Sequence, residues 1–382
     1  MKRYILITAD FPPIIGGIST YLYNIWKYFS CEEALILAPY VKGCREFDKQ
    51  KNLHILRRLF PLQDSLIERI LKTILFVLYL YPIIRREKID LLCCGHPISV
   101  GFAGFLYKIF FKIPYCIFVY GGEPVKYQRN KIMAKLMTLT LINADGIIGV
   151  SEYTKNEYRI YNPRRGFVER LNAGIDVNKF NPNVNSTNLR ERFGLKDKKV
   201  ILTVSRLVER KNHSLVINIL PRLLQKIPNL VYIIVGKGPT EDRLRKEVRR
   251  LNLESYVIFA GGIPDEELPL YFDLCDVHIM LSRQMQEEGD VEGFGISFIE
   301  ASSCAKPVIG SKTGGIGDAI EDGISGLLVD PNNKDEVLEA VLRLLTDEAY
   351  AKRLGKAGRR MVLEKFDSHL IAERFRKLLE QI

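Results

Sequence analysis

Residues 287–310 read EEGDVEGFGISFIEASSCAKPVIG. Two carboxylates, Glu292 and Glu300, flank a Gly-Phe-Gly turn that leads into an apolar segment. Gly293 and Gly295 allow a ligand to approach the backbone closely, and a helix that begins there directs unpaired N–H groups and the positive end of its dipole at that ligand. The segment therefore predicts a phosphate-binding loop.

The spacing of the two glutamates suggests what else the loop binds. If the chain from Glu292 to Glu300 rose at helical pitch, it would span roughly 12 Å, which is comparable to the distance from a hexose through a diphosphate to a ribose. The alternative is a surface loop before a core helix, with both glutamates solvated. The next run, Lys306–Gly317, reads as a buried strand that ends in a second glycine-rich loop, and this α/β rhythm favours the ligand site.

Glu292 and Glu300, followed by Pro307-Val-Ile and Thr313-Gly-Gly, resemble the donor-site motif of family-4 retaining glycosyltransferases of the GT-B fold. The resemblance covers most of the chain, and 382 residues are enough for two domains. It implies an α/β protein with two Rossmann-like domains, a deep interdomain cleft and a C-terminal helix that crosses back to the first domain. The expected boundaries are 1–180 for an acceptor-binding domain, 181–365 for a nucleotide-sugar domain and 366–382 for the terminal helix.

The N-terminal segment predicts a strand, a glycine turn and a helix. Residues 4–9 form an apolar run, and the turn ends in Gly16-Gly17, after which Ser19 or Thr20 suits a helix N-cap. In the family resembled, the Gly16-Gly17 loop approaches the donor diphosphate, and the Asp-Phe-Pro-Pro form is similar to that of phosphatidylinositol mannosyltransferases. The alternative is that these glycines serve only the tight turn.

Arg206 and Lys211 follow the apolar run 199–204. Two cations just beyond the end of a strand can neutralise a diphosphate, and in the family resembled they bind the pyrophosphate and stabilise the departing nucleoside diphosphate. The resemblance implies that Glu292 holds the sugar ring, Glu300 the ribose, and the loop at Gly262-Ile263 the base. The predicted donor-binding residues are Gly16, Gly17, Arg206, Lys211, Gly262, Ile263, Glu292, Gly293, Phe294, Gly295, Ile296 and Glu300.

The loop after the third strand departs from the family pattern. Many relatives carry a histidine there, near the transferred sugar, where this chain reads Tyr120-Gly-Gly-Glu123. Tyr120 or Glu123 is then expected to border the sugar. His96, after the preceding strand, is an alternative, although a single histidine after a strand is more often structural. The predicted catalytic residues are Glu292, Arg206, Lys211 and Tyr120.

Charge is unevenly distributed along the chain. Residues 1–180 contain 26 Lys and Arg against 15 Asp and Glu, whereas the remainder is balanced at 30 and 30. The helical run 66–86 is apolar around most of its circumference and is either a buried helix or an interfacial element. The basic first half favours contact with anionic lipid, and no nucleic-acid-binding motif accompanies it.

Localisation is predicted from two further features. No stretch predicts a membrane-spanning helix or a signal peptide, and the seven cysteines predict buried, reduced thiols. We therefore expect a cytoplasmic protein peripheral to the inner face of the membrane.

The sequence and the resemblance together predict a retaining, metal-independent glycosyltransferase of cell-envelope glycan biosynthesis, with no cofactor. No D-x-D pair, zinc spacing or Walker A loop is present. The best prediction is transfer of mannose from GDP-mannose to a lipid or a lipid-linked glycan. The alternatives are a UDP-hexose-dependent transferase, a nucleotide-sugar epimerase and a noncatalytic nucleotide-binding partner.

Overall fold

The structure is a computed structural model that describes residues 2–61, 66–128, 130–161, 163–164, 166–285 and 289–382. Its contacts divide the chain into two units. Unit 1 contains the chain up to Gly174, Gly289 and Ser368–Ile382, and unit 2 contains Ile175–Gln286 and Asp290–Asp367. The domain boundaries at 180 and 365 stay predictions.

Unit 1 is built on a seven-stranded parallel sheet with helices between the strands. In chain order its elements are β1 (Tyr4–Ile7), α1 (Gly17–Trp26), β2 (Ala34–Pro39), α2 (Cys44–Lys49), β3 (His54–Arg58), α3 (Leu66–Glu87), β4 (Leu91–Cys94), α4 (Val100–Phe111), β5 (Tyr115–Val119), α5 (Glu123–Gln128), α6 (Lys131–Ile142), β6 (Gly146–Gly149), α7 (Glu152–Arg159) and β7 (Phe167–Arg170). The strand order is β3-β2-β1-β4-β5-β6-β7. This is the doubly wound arrangement, in which the order reverses beside the first strand.

Unit 2 repeats that arrangement with six parallel strands in the order β10-β9-β8-β11-β12-β13. Its elements are α8 (Thr187–Arg192), β8 (Lys199–Val204), α9 (His213–Leu224), β9 (Leu230–Val235), α10 (Glu241–Arg250), β10 (Val257–Gly261), α11 (Leu268–Leu274), β11 (Val277–Met280), α12 (Ile296–Ser303), β12 (Val308–Ser311), α13 (Ile316–Ala319), β13 (Leu327–Val329), α14 (Lys334–Thr346) and α15 (Glu348–Lys365), with a 3-10 turn at Glu209–Lys211. β1 is apolar throughout and β8 is apolar apart from Lys199 and Thr203, as expected of strands in a sheet whose two faces are covered by helices.

The last helix, α16 (Ser368–Leu379), belongs to unit 1 although it follows all of unit 2 in the chain. Phe375 is fully buried, with its ring 5.7 Å from that of Trp26 and 5.3 Å from that of Phe118. Arg376 also donates a hydrogen bond of 2.6 Å to the carbonyl of Tyr28. The two ends of the chain therefore share one core.

The predicted N-cap of α1 is wrong. The helix begins at Gly17, and Ser19 is buried within its first turn. Gly16 precedes the helix and has no side chain to cap it, so the first N–H groups of α1 receive no side-chain hydrogen bond. Elsewhere, Ser151 caps α7 by accepting a hydrogen bond from Thr154 N, and α10 begins after Thr240. All seven cysteines are free thiols and six are buried, as predicted.

Replacing Phe375 with alanine should lower the free energy of unfolding of unit 1 by about 3–5 kcal/mol, because it leaves a cavity among buried aromatic rings. Arg374→Ala, on the exposed side of the same helix, is the matched control and should change it by less than about 0.5 kcal/mol. Denaturant unfolding followed by circular dichroism measures both values. Equal effects of the two substitutions would show that α16 does not contribute to the core of unit 1.

Candidate functional site

The candidate site in unit 2 lies at the carboxyl edge of its sheet. All six strands are parallel, so the residues that follow them meet at one edge, where ligands bind in open α/β sheets. Arg206 follows β8, Gly262 follows β10, Ser282 follows β11 and Thr313 follows β12.

Glu292 lies within this edge and forms a buried ion cluster with two cations. Lys211 Nζ and Arg210 Nη1 both contact its Oε2 atom, the latter at 2.5 Å, and Ser282 Oγ donates to the same oxygen at 3.2 Å. The Glu292 side chain is only 12% exposed. Burial alone would raise the pKa of Glu292, but Lys211 and Arg210 outweigh it and lower that pKa to about 2. Glu292 is therefore an anion held in one orientation.

The backbone of Glu292 is fixed by the second glycine-rich loop. Gly315 N donates to the carbonyl of Glu292 at 2.8 Å, and Gly314 has a φ of 55°. A Cβ atom at Gly314 would lie 2.3 Å from that carbonyl oxygen. Position 314 therefore requires glycine both for its left-handed conformation and for the close approach.

The helix that the Gly-Phe-Gly turn was predicted to begin is α12, which begins at Ile296. Gly295 adopts a φ of 91°, and no side chain caps the first turn of the helix. Its first N–H groups and the positive end of its dipole are thus not covered by a cap. The helical-pitch estimate of the separation between the glutamates does not apply, because Glu292 lies in the loop before α12 and only Glu300 is on the helix.

Glu300 occupies a different environment from Glu292. It is 6% exposed, and no described side chain donates a hydrogen bond to its carboxyl group. Burial is the main cause that raises the pKa of Glu300 to about 8; Asp265 adds to this and Lys179 opposes it. The alternative of two solvated glutamates is therefore wrong for both residues, and the pKa of Glu292 is lowered while that of Glu300 is raised.

The other predicted donor residues of unit 2 differ in exposure. The side chain of Arg206 is exposed, and no described residue forms a hydrogen bond or an ion pair with its guanidinium group. Gly262 is exposed beside the alkyl chain of Lys237, while Ile263 is half-buried. Phe294 is buried against Phe366, so its ring is a packing element of the loop. Gly293 and Ile296 are half-buried at the start of α12.

A second cluster lies at the carboxyl edge of the sheet in unit 1. Asp10 follows β1 and His96 follows β4, and His96 Nε2 is 3.0 Å from Asp10 Oδ2. The Tyr120 hydroxyl donates to the carbonyl of Gly95 at 3.0 Å. Burial raises the pKa of Tyr120 well above its ordinary range, so this phenol is a neutral hydrogen-bond donor.

Glu123 is a structural acceptor in the same region. Its carboxylate accepts hydrogen bonds from Tyr120 N and from the Tyr158 hydroxyl, each at 2.9 Å. In the loop before α1, a Cβ atom at Gly16 or Gly17 would meet no described atom within 4 Å. Packing against the described residues therefore does not require glycine at these two positions, and their contact with a donor stays a prediction.

Sequence reasoning missed Arg210. It is adjacent to Lys211 and, with a side chain 8% exposed, it pairs with both Asp290 and Glu292. The available signal was the Glu-Arg-Lys run itself, because neighbouring residues on a 3-10 turn can reach the same acceptor. Ser282 was also missed, and its only signal was its position after a strand.

Comparison with known proteins identifies the family. Residues 15–179 match glycosyltransferase family 4, and residues 185–361 match glycosyl transferases group 1. The chain is 30% identical, over 98% of its length and 97% of the relative, to a GDP-mannose-dependent alpha-(1-6)-phosphatidylinositol monomannoside mannosyltransferase of Mycolicibacterium smegmatis. The chain is a family-4 glycosyltransferase.

Solved structures show the same fold for this glycosyltransferase. Sucrose-phosphate synthase of Thermosynechococcus elongatus superposes with a TM-score of 0.82 at 22% identity, over 100% of this chain and 99% of that one. Anabaena HepE in complex with UDP-glucose gives a TM-score of 0.82 at 19% identity over the whole of both chains. The predicted α/β architecture, GT-B with two Rossmann-like units, is confirmed.

The protonation of Glu300 in this transferase predicts a dependence of stability on pH. Glutamate in the unfolded chain titrates near pH 4.5, whereas folded Glu300 titrates near 8. Between these values the folded state binds more protons than the unfolded state, so the free energy of unfolding falls as pH rises. Glu300→Gln keeps the size and stays neutral, and it should remove this contribution.

Denaturant unfolding of both proteins across this pH range tests the prediction. The variant should gain stability relative to the unmodified chain as the pH rises towards about 8. A difference in stability that is constant across the range would mean that Glu300 is ionised in the folded protein.

Proposed function

We propose that this glycosyltransferase moves mannose from GDP-mannose to a hydroxyl of a lipid or lipid-linked glycan, with retention of configuration and without a metal ion. The observation that carries the proposal is the buried cluster of Glu292 with Lys211 and Arg210 beside an uncapped helix N-terminus. The choice of mannose and of a lipid is supported by the name of the mycobacterial relative, which uses GDP-mannose and a phosphatidylinositol mannoside.

The diphosphate is assigned to Arg206, Lys211 and the N-terminus of α12. The Lys211 ammonium has three N–H donors, and its contacts with Glu292 Oε2 and with Met280 Sδ, the latter at 3.1 Å, use two of them. One remains for a phosphate oxygen. Arg206 is exposed, and its guanidinium group can bind two other phosphate oxygens bidentately. These fixed cations would stabilise the charge that develops on the leaving diphosphate. In metal-dependent enzymes a divalent ion has this role.

Glu292 is assigned to the sugar ring. The contacts of its carboxylate with described side chains use Oε2, so Oε1 is available to accept a hydrogen bond from a sugar hydroxyl. A carboxylate whose pKa is lowered to about 2 by two cations is a weak nucleophile. This supports front-side attack, in which the bond from the anomeric carbon to the diphosphate breaks, the acceptor oxygen bonds on the same face, and the acceptor proton passes to the departing phosphate.

The acceptor is assigned to unit 1, with contact to the cytoplasmic face of a membrane. Residues 1–180 carry the whole net charge of +11, which favours anionic lipid headgroups. Helix α3 exposes several large apolar side chains, including Ile67 and Leu78. Within the described ranges, no helix has the combination of length and apolar character needed to cross a bilayer.

Glu292→Gln should lower turnover by about 10²–10³-fold, because the amide keeps the size of the side chain but loses the charge that orders Lys211 and Arg210. Nucleotide binding should change much less, since the assigned diphosphate cations remain. Turnover with GDP-mannose and the dissociation constant of GDP give the two values. An unchanged turnover would remove Glu292 from the site.

Arg206→Ala should weaken GDP binding and turnover together, each by about 10-fold to 100-fold, because one charge-assisted contact to the diphosphate is lost. Arg222→Ala is the matched control, since Arg222 is also an exposed arginine of unit 2 but pairs with Asp335 on α14. Titration calorimetry with GDP compares the two variants. If Arg206→Ala binds GDP as Arg222→Ala does, the diphosphate assignment fails.

Donor, metal requirement and stereochemistry can be tested in one assay. The protein is incubated with GDP-mannose, UDP-glucose or UDP-N-acetylglucosamine, with and without a lipid extract and EDTA, and nucleotide release and product anomer are measured. The proposal expects acceptor-dependent release from GDP-mannose that persists in EDTA and gives a retained anomer. Release from UDP-glucose alone would assign a UDP-hexose donor, and interconversion of the nucleotide sugar without release would indicate an epimerase.

A further inference from the structure

Helix α3 has two apolar faces on opposite sides. One face, with Phe76, Leu80 and Ile83, is buried in the core of unit 1. The opposite face is a stripe of exposed apolar side chains at helical spacing, formed by Ile67, Ile70, Leu71, Ile74, Leu78 and Tyr81. A surface helix normally presents polar residues on its outer side. The outer stripe of α3 therefore requires a partner that is apolar.

A groove opens beside this stripe. It lies between α3, α4 and α6 and has a volume of about 320 Å³. Ile70, Ile74 and Leu78 belong both to the stripe and to the groove wall. The other walls include Phe102 and Leu106 of α4 and Met133 and Leu136 of α6. The groove is thus continuous with the exposed apolar face and open to whatever covers it.

The polar atoms in the wall already have partners. Thr73 Oγ1 donates to the carbonyl of Arg69 at 2.9 Å, and Ser99 Oγ donates to the same carbonyl at 3.3 Å. The Arg69 guanidinium lies 4.9 Å from the centre of the Tyr127 ring. Apolar cavities of this kind take apolar guests, and a cavity of ~150 Å³ holds one benzene ring. The groove therefore has room for an alkyl chain of about a dozen carbons.

Basic side chains border the apolar surface. The three helices that form the groove carry seven basic residues and two acidic ones. Arg85 and Arg86 are exposed at the end of α3, and Lys131 and Lys135 are exposed on α6. An apolar surface surrounded by cations fits a lipid with an anionic headgroup better than an uncharged apolar partner.

The groove also approaches the carboxyl edge of the sheet. Ile98 and Ser99 line it, and they follow His96, which contacts Asp10 at that edge. Three residues of extended chain span at most roughly 10 Å. A lipid whose chain lies in the groove would therefore place its headgroup close to the edge where a parallel sheet binds its ligands.

We propose that the groove between α3, α4 and α6 binds one acyl chain of the anionic phospholipid that serves as acceptor. This inference rests on the proposed function, because it identifies the acceptor as a lipid with a long chain. The stripe on α3 contacts the leaflet, and the groove withdraws one chain from it, so that the headgroup is presented at the sheet edge.

Direct binding of single-chain lipids tests the groove without donor or turnover. The full-length protein is titrated calorimetrically with lysophosphatidylglycerols below their micelle concentrations, with chains of increasing length. Affinity should rise roughly fourfold per methylene and stop rising at about a dozen carbons, when the groove is full. Absence of binding, or a rise that continues without a plateau, would overturn the proposal.

Two variants separate the groove from the surface around it. Val77→Trp fills the groove from α3 and should abolish the dependence on chain length. Ile132→Trp adds the same ring on exposed α6, outside the groove wall, and should leave it intact. Equal behaviour of the two variants would mean that the lipid lies on the surface and not in the groove.

Photolabelling keeps the test valid if Val77→Trp does not fold. The unmodified protein is exposed to vesicles of phosphatidylcholine and phosphatidylglycerol in which one phosphatidylglycerol chain ends in a diazirine. Labelling of Val77, Phe102, Leu106 or Leu136 supports the proposal. Labelling confined to Ile67, Phe110 or Ile132, or a stable dimer that is not labelled, would overturn it.

The experiments distinguish an error in the proposed groove from an error in the proposed transferase function. If the transferase glycosylates a lipid acceptor at a rate that does not depend on chain length, the groove is wrong and the function stands. If the chain-length plateau and the labelling are found but no sugar reaches any lipid, the groove stands as a lipid site and the lipid-transferase assignment is wrong.

Discussion

The ion cluster of Glu292 with Lys211 and Arg210 is the interaction on which the site of unit 2 depends. Burying three charges removes their hydration, and this cost is offset only if each charge has a partner in good geometry. Here one carboxylate oxygen accepts from both cations and from Ser282. The cluster therefore ties together the segments that follow β8 and β11, and the hydrogen bond from Gly315 N, after β12, fixes the backbone of Glu292.

The same motif shifts the pKa values of its two glutamates in opposite directions. Lys211 and Arg210 lower the pKa of Glu292, whereas burial, with a smaller contribution from Asp265, raises the pKa of Glu300, to which none of the described side chains donates a hydrogen bond. When two acids of one site have environments that shift their pKa values apart, they commonly have different chemical roles. A carboxylate can only accept hydrogen bonds, whereas a neutral carboxylic acid can both donate and accept them, so the two side chains are different recognition groups.

The fold was largely readable from the sequence because its signals are local. Buried parallel strands appear as apolar runs, and glycine or serine marks the helix starts, as at Ser151 before α7. The start of α1 was misplaced because Ser19 is a good capping residue, but the two glycines before it allow an earlier start. Lys211 and Glu292 were recognised as site residues through a family motif, but their ion pair was not predicted. The only sequence signal for Arg210 was its place beside Lys211 in the Glu-Arg-Lys run, and the turn geometry decides which acceptor it reaches. The exposed stripe on α3 could not be separated from a buried helix, because both are apolar and only the fold decides which side is covered.

Unit 1 is completed by α16, which is synthesised after the whole of unit 2. While the chain is still emerging from the ribosome, the first unit lacks the helix that covers Trp26 and Phe118, and this apolar surface stays exposed to water and to other chains. The second unit is almost continuous in sequence and can fold during this time. Assembly of the protein is therefore ordered by topology: the unit that begins first is finished last, and a nascent chain released early carries an uncovered aromatic core that chaperones and proteases recognise.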